Sequence, residues 1–203
     1  MPPYISIGGY SDPPRVPHFS LEVDRGELVV VTGGPGSGKT NLIKSLAGIR
    51  STVRGSMRIL GARPGDARAR SDSLFVFQSG NFLEHVQVRQ QLERKIALYR
   101  GASPREVRPV LKEWATETEL VRLLDRTPGQ LNRSQLQMLS FALLALTDAV
   151  VIVLDEPLED LTSEQVSTAV AHIVDNLEGA AVLATARRRS PLLTKADRVV
   201  ELS

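Results

Sequence analysis

The chain has 203 residues, enough for one globular domain with a substantial core. No stretch approaches the roughly 20 apolar residues that a membrane-crossing helix needs, which excludes a pore built by this chain itself. There is no cysteine for disulfides, and the start of the chain lacks the basic-then-apolar pattern of a secretory signal. Together these features predict a cytoplasmic location.

The net charge is only +2, and most of the basic residues are arginines, including the run Arg187, Arg188 and Arg189. We interpret the arginines as a solvated face. The alternative is contact with an acidic partner, lipid headgroups or nucleic acid, because arginine suits bidentate phosphate contacts.

The first part of the chain predicts strands followed by a strand, loop and helix. Strand-like runs at 4–7 and 19–23 flank a proline-bearing loop and indicate a small antiparallel layer. The apolar, β-branched run 27–32 then ends in glycines and is followed by a helix-compatible stretch at 40–47.

The middle of the chain predicts short strands and then a helical insertion. Strand candidates at 56–60 and 74–77 flank a turn-rich connection, and residues 86–126 have helical periodicity. Helices are predicted after that at 134–146 and 164–176, and strands at 150–154, 180–185 and 198–202.

This alternation predicts an α/β fold with a mainly parallel sheet covered on both faces, a small antiparallel β layer and a helical insertion. We expect residues 1–203 to form a single domain, with the helical subdomain at about 80–146.

The strongest motif lies between the buried strand and the following helix, and it predicts a P-loop NTPase that binds MgATP. It fits G-x-x-x-x-G-K-[ST] in the context that this motif requires. Glycines let backbone N–H groups surround phosphates, to which the helix start adds its positive dipole end. Lys39 would neutralise the β- and γ-phosphates, and Thr40 would bind Mg²⁺. The candidate nucleotide-binding residues are Gly33, Gly34, Pro35, Gly36, Ser37, Gly38, Lys39 and Thr40.

A second motif places two carboxylates at the end of a buried strand. The run VVIVL at 150–154 leads into Asp155 and Glu156, at the strand end where α/β sheets bind ligands. Asp155 would hold Mg²⁺, and Glu156 would polarise the attacking water. A capped strand end would explain this pair alone, but the phosphate-binding loop favours the catalytic interpretation.

The order of features resembles the ATP-binding cassette family over nearly the whole chain. GGPGSGKTNLIKSLAGI resembles its Walker A loop and helix, FVFQ its Q-loop and VIVLDEP its Walker B strand. Alone, Gln78 is a surface glutamine. The resemblance implies that Gln78 acts in catalysis and metal binding and that Tyr10 stacks on the adenine. It also implies that a membrane subunit contacts residues after Gln78, such as Asn81, Phe82 and Leu83.

The signature segment departs from the family's LSGGQ, since residues 131–135 read LNRSQ. In the family this segment faces the nucleotide of a partner cassette. Asn132 retains a donor, and Ser134 stands where a glycine is usual; both are candidate nucleotide contacts. Arg133 would either reach a partner's phosphate as a cation or mark lost function at this surface.

Two further departures affect turnover. Thr162 stands in place of an aspartate after Walker B, and Ala186 in place of the switch histidine that contacts the γ-phosphate. Alanine has no side-chain donor, and removal of one preorganised donor costs about 10²–10³ in rate. We therefore expect ATP binding with slow intrinsic hydrolysis. The arginine run 187–189 has two interpretations: it lies on the surface, or one of its arginines reaches the γ-phosphate.

The resemblance implies an ATP-hydrolysing energy-coupling subunit of a transporter, peripheral on the inner membrane face through a separate permease. The alternative is a regulatory cassette that acts by nucleotide occupancy. A second cassette would be an identical or a different chain, and the altered elements slightly favour a heteromeric complex. The chain has no coiled-coil heptads or cysteines, so we expect no nucleic-acid partner. A small-molecule kinase would not explain the order of motifs.

Overall fold

The computed structural model describes residues 2–51, 54–79 and 81–202. Within them, the strands form two sheets and α-helices pack around these. The strands are β1 (Ile5–Asp12), β2 (Val16–Val23), β3 (Leu28–Thr32), β4 (Arg54–Ile59), β5 (Ser73–Val76), β6 (Val151–Asp155), β7 (Ala181–Ala186) and β8 (Arg198–Glu201). The helices are α1 (Lys39–Leu46), α2 (Ala67–Ser71), α3 (Val88–Arg100), α4 (Pro104–Glu117), α5 (Arg133–Leu146) and α6 (Ser163–Val174), with 3₁₀ turns at Val121–Leu123, Pro128–Gln130 and Pro191–Thr194.

The larger sheet is parallel, with the strand order β5-β6-β7-β3-β8. Successive side chains of a strand point to opposite faces. In β3, Leu28 and Val30 enter a core shared with α3 to α6, whereas Val29 and Val31 enter a second core shared with α1 and the smaller sheet. Because both faces are covered, β3 is apolar along its whole length. The predicted α/β fold with a parallel sheet is confirmed.

The smaller sheet is antiparallel, in the order β2-β1-β4, which confirms the predicted layer. The strand β1 continues to Asp12, beyond the predicted run 4–7, and β2 begins at Val16. Register shifts on either side of Tyr10 let β1 continue past its glycines. The long loop predicted between these strands is therefore wrong, and the connection is a short turn.

The helices α3, α4 and α5 lie between β5 and β6, inside the segment 80–146 that the sequence predicts as a helical subdomain. The helix α4 begins with a capping box, in which the side chain of Ser103 accepts from the N–H of Glu106 and Glu106 accepts from the N–H of Ser103. The five-residue helix α2 was not predicted; it lies in the connection read as turn-rich.

Because the strands of the larger sheet are parallel, their carboxyl ends meet at one edge, where α/β sheets bind ligands. The end of β3 leads into residues 33–40, and β5 is followed closely by Gln78. At the same edge, β6 ends at Asp155 and β7 is followed by Arg187. Among the described residues, none of the helices combines the length and apolar composition needed to cross a bilayer.

Candidate nucleotide-binding site

A cavity of about 440 Å³ opens over the glycine-rich loop at this edge of the sheet. Its size is typical of a small-molecule pocket, and its walls come from elements that are far apart in sequence. The lining residues are Arg15, Pro35, Gly36, Ser37, Gly38, Lys39, Thr40, Asn41, Gln78, Glu156 and Arg187.

The loop takes its shape from glycines and from Lys39. Gly36 and Gly38 have φ angles of +79° and +99°, which side-chain-bearing residues rarely adopt. Lys39 is 5% exposed, and its Nζ donates to the carbonyl oxygens of Gly33 at 2.8 Å and Gly34 at 3.2 Å. The lysine thereby holds the loop closed around its own ammonium group and places a positive charge at the base of the cavity.

Glu156 lines the cavity and forms an ion pair with Lys39. Its Oε1 is 3.2 Å from Lys39 Nζ, and its side chain is 14% exposed. The residue has a φ of +46°, and its N–H donates to Thr185 Oγ1 at 3.0 Å. The hydroxyl of Thr185, on the neighbouring strand β7, thus fixes the backbone turn that aims the carboxylate at the cavity.

Asp155 is buried at the end of β6. It accepts from Thr185 Oγ1 at 2.8 Å, and the hydroxyl of Thr40 is also within hydrogen-bonding reach. Burial raises the pKa of Asp155, and the hydrogen bonds from Thr185 and Thr40 oppose this rise. A carboxylate beside a hydroxyl in a water-poor position suits a hard divalent cation.

The donor set fits magnesium in the form that accompanies a nucleotide. No cluster of three or more His, Cys, Asp or Glu side chains able to hold a metal occurs in residues 2–51, 54–79 and 81–202. Mg²⁺ is usually bound through one or two protein oxygens together with waters and substrate phosphates. The oxygens of Asp155 and Thr40 therefore match a nucleotide-borne ion better than an all-protein cage.

Gln78 joins two parts of the molecule. Its side chain is partly exposed and lines both the phosphate cavity and a smaller apolar groove beside the helical segment. Phe82 and Arg133 also line this groove. Gln78 therefore lies between the helical segment and the phosphate cavity.

Tyr10 lies away from the cavity. It is 1% exposed, belongs to the core beneath the smaller sheet, and burial raises the pKa of its hydroxyl. The prediction that Tyr10 stacks on an adenine is wrong, because the ring is buried in the core and has no exposed face on which a base could stack. Arg15, in the turn after β1, lines the cavity instead, and the Cβ of a residue at Gly38 would lie 3.8 Å from Arg15 Cβ.

Arg187 also lines the cavity, although its sequence context favoured a surface interpretation. Its NH1 is 2.6 Å from Glu159 Oε1, and its Nε is 3.7 Å from Glu156 Oε2. No motif marks Arg187 or Glu159; the signal available in the sequence was only that Arg187 follows a buried strand. The arginine run is therefore not uniformly a solvated face.

A family model described as ABC transporter matches residues 16–159. The chain belongs to the ABC transporter family. This membership supports the assignment of the cavity to ATP, and it agrees with the order of the phosphate-binding loop, Gln78 and the carboxylate pair.

Curated relatives of this ABC cassette include ATP-binding proteins of import systems. The sn-glycerol-3-phosphate import protein UgpC of Ruegeria sp. (strain TM1040) is 29% identical over 159 residues, which are 78% of this chain and 45% of that protein. The xylose/arabinose import protein XacK of Haloferax volcanii is 28% identical over 203 residues, 98% of this chain and 52% of that protein. The chain spans about half the length of the curated relatives it matches.

Solved structures show the same fold. A dimeric ATP-binding cassette, MJ0796, bound to ADP and Pi has a TM-score of 0.81 at 20% identity, over 98% of this chain and 94% of that one. The ATP-binding subunit of an ABC transporter has a TM-score of 0.79 at 22% identity, over 98% and 85% of the two chains. The predicted P-loop NTPase fold is thereby confirmed.

The segment LNRSQ at 131–135 of this ABC cassette makes hydrogen bonds within itself and to α6. Asn132 caps α5: its Oδ1 accepts from the N–H of Gln135 at 2.8 Å. Ser134 Oγ donates to Gln165 Oε1 at 2.5 Å, and the same oxygen accepts from the N–H of Thr162 at 3.0 Å. Neither Asn132 nor Ser134 lines the chain's own nucleotide cavity.

Ala186, which the resemblance aligns with the switch histidine, is buried. Ala186 is 3% exposed and packs in the core that lies under α5 and α6. It ends β7 in register with Thr32 of β3, directly beside the start of the phosphate-binding loop. Arg187, the residue directly after β7, lines the cavity.

Proposed function

We propose that this ABC cassette binds MgATP and hydrolyses it as the energy-coupling subunit of a transporter, working with separate membrane subunits. The observation that carries the proposal is the meeting of Lys39, Gln78 and Glu156 around one cavity over the phosphate-binding loop. The two relatives described above serve the import of sn-glycerol-3-phosphate and of xylose/arabinose, which favours an importer.

In this proposal the backbone N–H groups of the loop and Lys39 bind the phosphates, while Asp155, Thr40 and Gln78 would hold Mg²⁺. The ion would neutralise charge on the β- and γ-phosphates. Glu156 would accept a hydrogen bond from a water molecule and thereby orient the water oxygen towards the γ-phosphorus. A bond forms from that oxygen, the bond from the γ-phosphorus to the β–γ bridging oxygen breaks, and the water proton leaves towards Glu156 or phosphate. The products are ADP and inorganic phosphate.

We expect the chain alone to hydrolyse ATP slowly. The buried Ala186 supplies no donor to the γ-phosphate, and removal of one preorganised donor typically costs about 10²–10³ in rate. Arg15, rather than Tyr10, would contact the base or sugar, because a guanidinium stacks on aromatic rings and this one lies at the cavity.

A second cassette and a permease are the proposed partners. Asn132 and Ser134 would face the nucleotide of the second cassette. Ser134 stands at a glycine position of the family signature and is less well suited than glycine to close approach of the backbone. The groove between Gln78 and Phe82 would receive the membrane subunit, which would hold the cassette at the inner face of the membrane. The altered LNRSQ segment favours a heteromeric pair slightly, because an unaltered partner would compensate for it.

A regulatory cassette that acts by nucleotide occupancy is the second candidate. It is favoured by one observation: Ser134 is hydrogen-bonded to Gln165 of the same chain, so it is engaged before any partner approaches. In this alternative the nucleotide binds, and the closure of the cassette is the output.

The test is ATP binding and steady-state hydrolysis by the purified chain, alone and with its co-purified membrane and cassette partners. Glu156→Gln should keep ATP binding and lower partner-stimulated hydrolysis at least about 100-fold. Glu164→Gln, an exposed carboxylate on α6, is the matched control and should behave as wild type. Partner-stimulated hydrolysis that persists in Glu156→Gln would refute the proposed role of Glu156. ATP binding without turnover under any partner would favour the regulatory alternative.

A further inference from the structure

We propose that Arg187 recognises the γ-phosphate of ATP and supplies the interaction that Ala186 cannot make. The proposal rests on the proposed nucleotide site and adds a residue that distinguishes ATP from ADP within it. It assigns a role to one arginine of the run 187–189.

The first support is the place of Arg187 in the cavity. It lines the cavity together with Glu156 and the loop that would hold the phosphates. Its side chain is 58% exposed, so the protein core does not enclose the guanidinium, and the ion pairs with Glu159 and Glu156 set its position. The backbone beneath it is fixed, because Ser190 N donates to Arg187 O at 3.0 Å in the turn after β7.

The second support is that Arg187 and Lys39 contact the two oxygens of one carboxylate. Lys39 Nζ is 3.2 Å from Glu156 Oε1, and Arg187 Nε is 3.7 Å from Glu156 Oε2. A phosphate bound by Lys39 would thus lie within reach of the guanidinium. A terminal phosphate carries more negative charge and more acceptor oxygens than a carboxylate, and a guanidinium binds it in bidentate fashion. The γ-phosphate would therefore compete with Glu156 for Arg187.

The third support is the contrast with the neighbouring arginines. Arg188 pairs with Glu201 at the end of β8, and Arg189 lines a second hollow, beside Pro191, that adjoins the nucleotide cavity at Arg187. Neither side chain lines the nucleotide cavity. The three arginines are therefore not equivalent, although they are adjacent in the sequence. The substitution Arg188→Ala is a control, because it removes the same charge one residue away from Arg187.

The contact between Glu159 and Arg187 allows a second test of the proposal. Its contact of 2.6 Å with Arg187 NH1 is shorter than the contact between Arg187 and Glu156, so Glu159 is the closer carboxylate and would compete with a phosphate for the guanidinium. Recognition of the γ-phosphate by Arg187 would require this contact to loosen. Glu159→Gln should consequently favour the triphosphate.

The experiment compares the dissociation constants of ADP and of an ATP analogue with a β–γ imido bridge, both with Mg²⁺, for the full chain. Arg187→Ala should weaken binding of the analogue about tenfold or more, because a hydrogen bond to a charged group is lost, and should change ADP binding less than about twofold. Arg188→Ala should change neither. Glu159→Gln should tighten binding of the analogue relative to ADP.

Equal weakening of both nucleotides by Arg187→Ala, or no effect on either, would overturn the role of Arg187 while leaving the nucleotide site intact. The same loss in Arg188→Ala would overturn it too, because a diffuse charge effect would then suffice. A wild-type chain that binds neither nucleotide would contradict the proposed function itself. Melting temperatures of the three variants identify any loss caused by misfolding, and Arg187→Lys, which keeps the charge, should recover part of the discrimination.

Discussion

The ammonium group of Lys39 lies 3.2 Å from the carboxylate of Glu156, so the lysine proposed to bind phosphate and the carboxylate proposed to polarise water form an ion pair at the cavity. Both side chains are largely buried, where charges interact more strongly than in water. The pair couples two functions: removal of either charge changes the electrostatic environment of the other.

Lys39→Ala should abolish measurable ATP binding or weaken it about 100-fold, because the variant loses the cation and the two hydrogen bonds that close the loop. Titration with a fluorescent ATP measures the effect. Lys44→Ala removes an exposed lysine from the same helix and should leave binding unchanged. Wild-type affinity in Lys39→Ala would contradict the assignment of the cavity.

Gly33→Ala and Gly34→Ala should differ sharply. A Cβ at Gly33 would lie 2.5 Å from Ser37 Oγ and 2.9 Å from the carbonyl oxygen of Leu202, so the loop or the end of the sheet must shift. A Cβ at Gly34 meets no atom of the described residues within 4 Å. We expect lower ATP affinity and melting temperature for Gly33→Ala only. Equal behaviour of the two variants in these assays would show that the loop is looser than its geometry indicates.

Acid should destabilise the chain partly through Asp12. Hydrogen bonds from Arg50, with help from Asn41, hold the pKa of this carboxyl below its ordinary value. A lowered folded-state pKa stabilises the fold above the ordinary pKa of aspartate, and this contribution is lost as the pH falls through the lowered value. Asp12→Asn should therefore lower the melting temperature at pH 7 by several degrees and flatten its acid dependence.

Asp24→Asn is the control for this pH dependence, because the side chain of Asp24 is exposed in the turn before β3. Melting temperatures of wild type and both variants from pH 7 down to pH 3 would measure the effect. If Asp12→Asn follows the wild-type curve throughout, the contact between Arg50 and Asp12 contributes nothing to stability.

Asn132 should matter for stability as a helix cap. Asn132→Ala removes the acceptor for the N–H of Gln135 and should lower the free energy of unfolding by about 1 kcal/mol. Asn132→Ser, which restores the serine of the family signature, keeps a capping oxygen and should remain close to wild type. Chemical denaturation of the three proteins provides the measurement. A stable alanine variant would mean that the cap is not formed in solution.

The phosphate-binding loop and the carboxylate pair could be predicted because each follows a buried, β-branched run. The end of such a run locates a strand terminus in the sequence, and parallel strands bring these termini to one edge. Lys39, Gln78 and Glu156 line one cavity for that reason.

Tyr10 and Arg187 could not be placed correctly in this way. The prediction for Tyr10 depends on its distance from the loop along the chain. Its burial instead follows from the continuation of β1 through register shifts, which the residue pattern does not predict. Arg187 has an acidic neighbour only through the fold, since Glu159 belongs to a different strand connection. Contacts between two such connections depend on side-chain direction, which periodicity does not specify.

The amide oxygen of Gln165 accepts two hydrogen bonds that link the starts of two helices. It accepts from Ser134 at the start of α5 and from the N–H of Thr162 at the start of α6, so it fastens the two helix starts to each other. The short connection from Glu156 to Thr162 is braced by turns, among them Glu159 N to Glu156 O at 3.2 Å. A displacement of the start of α5 relative to the start of α6 would therefore break the hydrogen bond from Ser134 to Gln165.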